Sequence, residues 1–226
     1  MMLCIVQARM SSRRLPGKPL LDINGRALLG RVVDRLRQAE RLSRIVVATS
    51  DQPEDQPVVD FCALEGVPCA RGPLDDVARR FRAVAGDEDA DSFVRINGDS
   101  PLIDPALVDR AVSYFQQGGC DLVTNVQTRT FPKGQSVEVL LTETFVCACD
   151  AMTTDRQREH VTTVYYERPE MYRILNFTSG AVCGDINLSV DTREDAALIE
   201  AILARSGNRP GGWRDVSAVY RTMTAA

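Results

Sequence analysis

Apolar residues along this chain follow two periodicities that alternate with one another. A short apolar run at residues 3–8 predicts a strand. The β-branched run at residues 45–49 predicts a second strand, buried on both faces, because a half-exposed strand would alternate apolar and polar residues. Between these runs, apolar residues at positions 28, 29, 32, 33, 36 and 39 share one face of a helix predicted over 27–39. The rhythm continues to residue 126, with predicted helices at 54–66, 75–85 and 105–116 and predicted strands at 68–71, 92–96 and 121–126.

Strands that alternate with helices of about 10–14 residues form βαβ units, and right-handed crossovers then place the strands parallel with helices on both faces. The pattern therefore predicts an α/β fold with a doubly wound, mostly parallel mixed sheet. A length of 226 residues suits one domain, and we expect residues 1–226 to form a single unit around one core.

After residue 127 the rhythm becomes less regular. Residues 135–141 alternate like an exposed strand; helices are predicted at 142–151 and 155–167, and strands at 172–177 and 186–190. Two last helices are predicted, one after Asp191 and one over 214–224. We expect the segment 127–177 to be a small appended subregion, either a hairpin added to the sheet or a subunit contact, that serves acceptor binding or dimerisation.

The net charge of the chain excludes some classes of binding partner. A formal net charge of -4 argues against nucleic acid and against an anionic membrane surface. No apolar run approaches the roughly 20 residues that span a bilayer, and the start of the chain lacks the charged region of a signal peptide, so we expect a cytoplasmic protein. The seven cysteines are scattered and odd in number, which favours reduced thiols in the core over a metal site.

The most unusual stretch is "QARMSSRRLPGKPL", which directly follows the first predicted strand. It places Arg9, Arg13, Arg14 and Lys18 within ten residues, and four cations so close together should stay solvated and mobile unless an anion binds. Ligands of open parallel sheets bind at the carboxyl ends of strands, so this loop is a candidate polyphosphate site. The alternative is a solvated basic loop with no ligand.

Two carboxylates also follow predicted strands. Asp99 lies in "RINGDSPLIDP" and Asp191 in "NLSVDTREDAALIEAIL", and such a pair suits Mg²⁺, which binds one or two carboxylates together with substrate phosphates. The alternative for Asp99 is a simple turn. Nearby polar residues have a structural explanation, because Asp104 is a predicted N-cap and Thr192 with Asp195 a predicted capping box.

A phosphate-binding loop together with a Mg²⁺ site indicates a nucleoside triphosphate. The loop is not a Walker A motif, since G-x-x-x-x-G-K-[ST] is absent, and no G-x-G-x-x-G follows the first strand. A P-loop NTPase and a dinucleotide-dependent dehydrogenase are therefore excluded.

With these residues in view, the chain resembles the cytidylyltransferase family of CMP-sugar synthetases. This family includes the CMP-Kdo and CMP-sialic acid synthetases, and the resemblance is strongest to the SpsF-like branch of spore-coat polysaccharide biosynthesis. Seven stretches carry it in the expected order over nearly the whole chain: "IVQARMSSRRLPGKPLLDINGRALL", "VATSDQPED", "RGPLDDVARRF", "RINGDSPLIDP", "FPKGQSVEVL", "REHVT" and "LSVDTREDAALI".

The resemblance implies a nucleotidyltransferase sheet like that of the GT-A glycosyltransferases, a homodimer, CTP as co-substrate and Mg²⁺ as cofactor. It implies transfer of CMP to an acidic sugar of the 2-keto acid type, with release of pyrophosphate. By position, the residues expected to hold the nucleotide in the first loop are Ala8, Arg9, Ser12, Arg14 and Lys18. The expected nucleotide-side loop has Arg71, Gly72 and Asp76. The expected metal ligands are Asp99 and Asp191, which form the catalytic set together with Arg14 and Lys18. The expected acceptor-binding residues are Lys133, Arg158 and His160.

Two positions bear on the acceptor. Gln7 is like the SpsF-like branch, whereas Kdo enzymes commonly carry proline there, and Ser136 stands where that branch usually has aspartate. The loss of this charge leaves open a phosphonate or another acidic acceptor in place of a sugar. A GT-A-like glycosyltransferase is a further alternative, but it needs a D-x-D pair at a strand end, and Asp89-x-Asp91 precedes its strand. The last alternative is an inactive relative that senses nucleotides.

Overall fold

Seven strands form one sheet in the computed structural model, which describes residues 2–224. The strands are β1 (Leu3–Gln7), β2 (Arg44–Ser50), β3 (Cys69–Gly72), β4 (Ser92–Asn97), β5 (Leu122–Thr124), β6 (Glu138–Leu141) and β7 (Ile174–Asn176). The α-helices are α1 (Leu28–Leu36), α2 (Gln56–Leu64), α3 (Val77–Asp87), α4 (Pro105–Gln116), α5 (Thr142–Asp150), α6 (Asp155–Glu159), α7 (Thr163–Glu167), α8 (Arg193–Arg205) and α9 (Trp213–Thr224).

The strand order is β3-β2-β1-β4-β6-β5-β7. Strand β1 pairs in parallel with β2 and β4, β2 with β3, and β5 with β7, whereas β6 is antiparallel to both of its neighbours. The prediction of a mostly parallel mixed sheet is therefore confirmed. Because β1 to β4 are parallel, their carboxyl ends meet at one edge of the sheet.

Helices cover both faces of this sheet and explain its unbroken apolar runs. Along β1, Cys4 and Val6 pack into the cluster that includes α1, α4 and α8, whereas Leu3 and Ile5 pack into the opposite cluster with α3 and α5. All four side chains are fully buried, so neither face of β1 has a polar position until the strand ends.

Three predictions for the second half of the chain are wrong. Residues 138–141 are not an exposed strand, because β6 lies between β4 and β5 and Glu138 is buried there against Arg95. The helix predicted at 155–167 is two short helices, since the backbone leaves the helical region at His160. Residues 186–190 are not a strand: their buried residues alternate, but the segment makes only an isolated bridge between Lys133 and Asn187.

The segment 127–177 is part of the sheet and not an added hairpin. It supplies β6 to the middle of the sheet and β7 to one edge, so the site-bearing strand β4 is paired on both sides. Its use in dimerisation stays a prediction.

Local signals at helix ends are confirmed. Asp104 accepts a hydrogen bond from Ala106 N at 3.0 Å, and Thr192 with Asp195 forms a capping box at the start of α8. Cysteines are free thiols, and Cys4, Cys62 and Cys183 are buried as expected, whereas Cys147 is exposed. No helix within the described residues combines the length and apolarity needed to cross a membrane.

A buried carboxylate ties the edge strand β7 to β5. Asp121 Oδ2 accepts from Arg173 N at 2.8 Å and Arg173 Nε at 3.1 Å, and Asp121 Oδ1 accepts from Arg173 Nη2 at 2.7 Å. The hydrogen bonds from Arg173 outweigh the opposing effect of burial and hold the pKa of Asp121 below its ordinary value.

We therefore expect Asp121→Asn to lower the free energy of unfolding at neutral pH by about 1–3 kcal/mol. A carboxyl with a depressed folded-state pKa stabilises above its unfolded value of about 3.9, and this contribution is lost as the pH falls through the folded pKa. Urea unfolding across pH measures the effect. A difference between wild type and variant that stays constant below about pH 4 would contradict the assignment.

Candidate functional site

The basic loop that follows β1 is folded back on itself. Met10 N donates to Asp55 Oδ1 at 2.6 Å, and the O of Met10 accepts from Ser12 N and Gly17 N, both at 2.9 Å. Asp55 is only 1% exposed, and its other oxygen accepts from Ser50 at the end of β2. Gly17 permits the reversal, since its φ is 75°. The loop is therefore attached to the carboxyl ends of two strands.

Gly98 lets the ends of β1 and β4 approach each other. Its N–H donates to Gln7 O at 2.9 Å, and a Cβ at this position would lie 2.7 Å from the same oxygen and 3.2 Å from Ala8 Cβ. Asp99 follows at once, so this close approach positions the carboxylate beside the basic loop.

We expect Gly98→Ala to force these strand ends apart, because the Cβ would contact backbone that cannot rotate away. The free energy of unfolding should fall by about 1–3 kcal/mol, as for other overpacked sites. Gly86→Ala is the control, since its Cβ would meet nothing within 4 Å. Thermal unfolding of both variants and of wild type tests this. If Gly98→Ala has the same unfolding midpoint as Gly86→Ala, the contact at Gly98 is not tight.

Lys18 brings the two candidate metal ligands together. Its Nζ donates to Asp99 Oδ2 at 3.1 Å, to Asp191 Oδ1 at 2.9 Å and to the backbone O of Val190 at 3.0 Å. Val190 N in turn donates to Asp99 O at 2.9 Å, which joins the two loops directly. Arg14 Nη2 lies 2.8 Å from the other oxygen of Asp191.

The charges around Asp191 affect its titration. Burial alone would raise the pKa of Asp191, but the hydrogen bond from Lys18 and the charges of Lys18 and Arg14 outweigh it, and the pKa is held below its ordinary value. Asp195 also accepts from the N–H of Asp191 at 2.9 Å, so one residue caps α8 and fixes the backbone of the candidate ligand. Asp191 is therefore ionised and held in place at neutral pH.

Three of the four cations of the basic loop are paired within the protein, although the side chain of Arg14 stays 66% exposed. Arg9, Arg14 and Lys18 each pair with a carboxylate from a distant part of the chain, and Arg9 Nη2 lies 2.5 Å from Glu159 Oε1 at the end of α6. Within residues 2–224, Arg13 makes no ion pair. The sequence could not show these pairs because they depend on which loops meet above the sheet.

A cleft of about 440 Å³ opens above these groups. The predicted site residues that line it are Ala8, Arg9, Ser12, Arg14, Lys18, Asp99, His160 and Asp191. The predicted residues that do not line it are Arg71, Gly72, Asp76, Lys133 and Arg158.

Each predicted residue outside the cleft has another contact, and Gly72 O accepts from Asp51 N at 2.8 Å. Arg71 donates to Ser50 O and Gln52 O, and Asp76 caps α3 by accepting from Arg79 N at 2.8 Å. Lys133 is exposed beside the bridge to Asn187, and Arg158 donates to Met152 O at 3.2 Å. Their predicted contacts with substrate stay untested.

Sequence reasoning missed several residues that line the cleft, among them Asn97, Val77, Arg80 and Glu159. Arg80 is only 3% exposed and lacks a carboxylate partner within residues 2–224; one of its nitrogens donates to Leu74 O at 3.0 Å. Burial, and after it the charge of Arg9, lowers the pKa of Arg80. An arginine on the apolar face of a predicted helix was the signal available in the sequence.

The carboxylates fit a divalent cation. Asp99 and Asp191 both contact one ammonium group, so a single cation can reach both. No group of three or more His, Cys, Asp or Glu side chains within the described residues is arranged to hold a metal ion. Magnesium ions typically complete such a two-carboxylate set with water and phosphate oxygens.

A charged cleft at the carboxyl ends of parallel strands, with cations and a pair of carboxylates at its mouth, is the kind of site that a nucleotidyltransferase needs. Comparison with known proteins agrees. The model of the cytidylyltransferase family matches residues 3–200. The chain belongs to the cytidylyltransferase family, and the resemblance given by its motifs is confirmed.

Three relatives indicate where the chain lies within this family. It is 31% identical to the spore coat polysaccharide biosynthesis protein SpsF of Bacillus subtilis over 224 residues, covering 96% of this chain and 90% of that one. It is 34% identical to a 3-deoxy-manno-octulosonate cytidylyltransferase of Chlamydia trachomatis, over 57% of this chain and 51% of that one. The structure of a cytidylyltransferase from Leptospira borgpetersenii matches with a TM-score of 0.92 and 25% identity, covering 99% and 95% of the two chains.

Proposed function

We propose that this protein is a CTP-dependent cytidylyltransferase that transfers CMP to an acidic sugar of the 2-keto acid type and releases pyrophosphate. The observation that carries the proposal is the convergence of Lys18, Arg14, Asp99 and Asp191 at the mouth of one cleft. Cations suited to phosphates and carboxylates suited to a metal are the groups that nucleotidyl transfer needs. The match to a 3-deoxy-manno-octulosonate cytidylyltransferase supports an acceptor of the sugar-acid class, and the match to SpsF supports a role in polysaccharide biosynthesis.

In this reaction an acceptor hydroxyl oxygen attacks the α-phosphorus of CTP in line with the leaving group. A bond from that oxygen to phosphorus forms, the bond from α-phosphorus to the bridging oxygen breaks, pyrophosphate leaves and the hydroxyl proton passes to solvent. The protein supplies alignment and charge neutralisation. Arg14 and Lys18 stabilise the charge that builds on pyrophosphate, and Arg9 and Ser12 hold the phosphates. Mg²⁺ held by Asp99 and Asp191 would neutralise charge on the α-phosphate.

The acceptor side involves the end of α6. His160 and Glu159 line the cleft beside the cations Arg9 and Arg13, which favour an anionic acceptor. Of the three predicted acceptor-binding residues, we assign this role to His160, because it lines the cleft. Lys133 and Arg158 would need a conformational change to contribute, because they lie outside the cleft. We further propose that the protein works as a homodimer in the cytoplasm, where CTP is available.

A phosphonate acceptor is the second candidate. Arg129 Nη1 donates to Ser136 Oγ at 3.3 Å, and within residues 2–224 this guanidinium pairs with no carboxylate. The aspartate usual at position 136 in the SpsF-like branch would neutralise it. An arginine left without this partner favours an acceptor with more negative charge than a carboxylate. Like Lys133 and Arg158, Arg129 lies outside the cleft and would need a conformational change to reach the acceptor.

Pyrophosphate release tests the proposal. The purified protein would be assayed with Mg²⁺ and CTP, ATP, GTP or UTP, each with a panel of acidic sugars and small phosphonates. Release with CTP and a sugar acid supports the first candidate, and release with a phosphonate supports the second. If no member of the panel gives release, but CTP binds by calorimetry, a sugar-acid acceptor is contradicted and a nucleotide-sensing role is favoured.

A further inference from the structure

Two amide side chains stand next to each other on the floor of the cleft. Gln7 ends β1 and Asn97 ends β4, and these two residues are direct partners in the parallel register. Both line the cleft, one on each of the strands that lead to the basic loop and to Asp99. An amide offers an oxygen that accepts hydrogen bonds and a nitrogen that donates them, so its orientation decides what it can recognise.

Arg95 sets the orientation of both amides. Its Nη2 donates to Gln7 Oε1 at 3.2 Å and to Asn97 Oδ1 at 3.4 Å. A guanidinium has only donors, so an amide that faces it must present its oxygen to it. The amide nitrogens of Gln7 and Asn97 therefore point away from Arg95, and among the described residues neither has a protein acceptor.

The orientation of the Arg95 side chain is fixed by buried contacts on the side away from the cleft. Its Nη1 pairs with Glu138 Oε2, and the side chain of Glu138 is only 3% exposed. The hydroxyl of Tyr166 donates to the other oxygen of Glu138 and lies 2.8 Å from Thr124 Oγ1. Strands β4, β5 and β6 and helix α7 thus hold one guanidinium in one orientation.

Stability alone is a poor reason for this network. A buried ion pair often contributes no more than well-packed apolar residues of similar size, because both charges lose their hydration. The neighbouring positions on this face of the sheet, Phe93 and Leu140, are apolar and fully buried. The polar network therefore starts at the position along the strands where the cleft opens. Because Glu138 balances the charge of Arg95, the effect of Arg95 on the cleft is to orient the two neutral amides.

We infer that Arg95 is a positioning residue that makes Gln7 and Asn97 a pair of hydrogen-bond donors for an oxygen atom of the bound substrate. That oxygen is a carboxylate, hydroxyl or phosphate oxygen, and it belongs either to CTP or to the acceptor. The pair rejects an N–H group at the same place, because two donors would face each other. The identity of these substrates rests on the proposed function; the orientation of the amides does not.

The test replaces each amide by the carboxylate of the same shape. In Gln7→Glu and Asn97→Asp one carboxylate oxygen still accepts from Arg95, and the other faces the cleft as an acceptor with negative charge. Gln116→Glu is the matched control, because Gln116 Oε1 accepts from Arg41 Nη1 at 3.0 Å and lies outside the cleft. The readouts are the Kd of CTP with Mg²⁺ by calorimetry, and the KM and kcat for 3-deoxy-manno-octulosonate.

We expect Gln7→Glu and Asn97→Asp to weaken binding of one substrate at least about tenfold. The effect should fall on Kd or KM more than on kcat, because a donor to a bound oxygen acts in the ground state as well as in the transition state. A rise in the Kd of CTP places the oxygen on the nucleotide, whereas a rise in the acceptor KM alone places it on the acceptor.

A variant of Arg95 separates orientation from folding. Arg95→Lys keeps the charge against Glu138 but offers no planar pair of donors, so it should weaken the same substrate while the unfolding midpoint stays near that of wild type. The inference is overturned if both carboxylate variants match Gln116→Glu within about twofold in every constant. If wild type turns over no acceptor, the proposed function fails, and the Kd values of CTP and of 3-deoxy-manno-octulosonate, both measured by calorimetry, then decide this inference.

Discussion

Asp99→Asn is expected to lower kcat for pyrophosphate release by a factor of about 10² to 10³, with the fold intact. The substitution removes one of the two carboxylates that can reach a single cation and leaves a neutral amide of the same shape beside Lys18. Asp191 alone would hold a divalent cation less firmly, and the proposed neutralisation of charge on the α-phosphate would then be lost mainly in the transition state, where charge builds up.

Asp60→Asn is the matched control, because Asp60 is an exposed carboxylate on α2 that accepts from Gln56 and lies outside the cleft. Both variants would be compared with wild type by circular dichroism and by initial rates at saturating CTP and Mg²⁺. If Asp99→Asn keeps near-normal activity, the assignment of Asp99 as a metal ligand is wrong.

Lys18→Ala is expected to weaken CTP binding at least tenfold, an effect of about 1.4 kcal/mol or more. The ammonium of Lys18 is mostly buried, with 15% of the side chain exposed, and its loss removes a positive charge from the phosphate end of the cleft. The same change leaves Asp99 and Asp191 without the cation that holds them together. In the absence of nucleotide, Lys18→Ala should therefore bind Mn²⁺ more tightly than wild type does.

Calorimetry measures the first effect and electron paramagnetic resonance of free Mn²⁺ the second. Arg205→Ala is the control, since Arg205 is an exposed cation at the end of α8 that lies outside the cleft. A general loss of folding would weaken both ligands, so opposite changes in CTP and Mn²⁺ affinity distinguish a direct role. Unchanged affinity for CTP would contradict the phosphate-binding role of the loop.

The part of the site that the sequence predicts is the part that lies close to strand ends. Asp99 could be placed in advance, because it follows β4 and the carboxyl ends of parallel strands meet at one edge. Its predicted pairing with Asp191 rests on a strand that does not form; Asp191 reaches the site through the segment whose Val190 N donates to Asp99 O. Glu159 and Arg80 could not be placed in advance, because their place depends on how α6 and α3 pack above that edge. The periodicity of apolar residues likewise indicates which side chains are buried and not which strands pair. For this reason the pattern predicts a strand at residues 186–190, although they make only one isolated bridge.

The antiparallel strand β6 has a consequence for how this chain is made. During synthesis β4 emerges first, and its partner β6 begins about 40 residues later, at Glu138. At about 5–20 residues per second, β4 stands as an open edge of the nascent sheet for roughly 2–8 seconds. Lys18 is separated in sequence from Asp99 by 81 residues and from Asp191 by 173 residues. Both ion pairs of Lys18 can therefore form only after most of the chain has left the ribosome. A nascent chain stalled near residue 130 therefore exposes an unpaired strand edge, which is a place for chaperones to bind or for two nascent chains to pair.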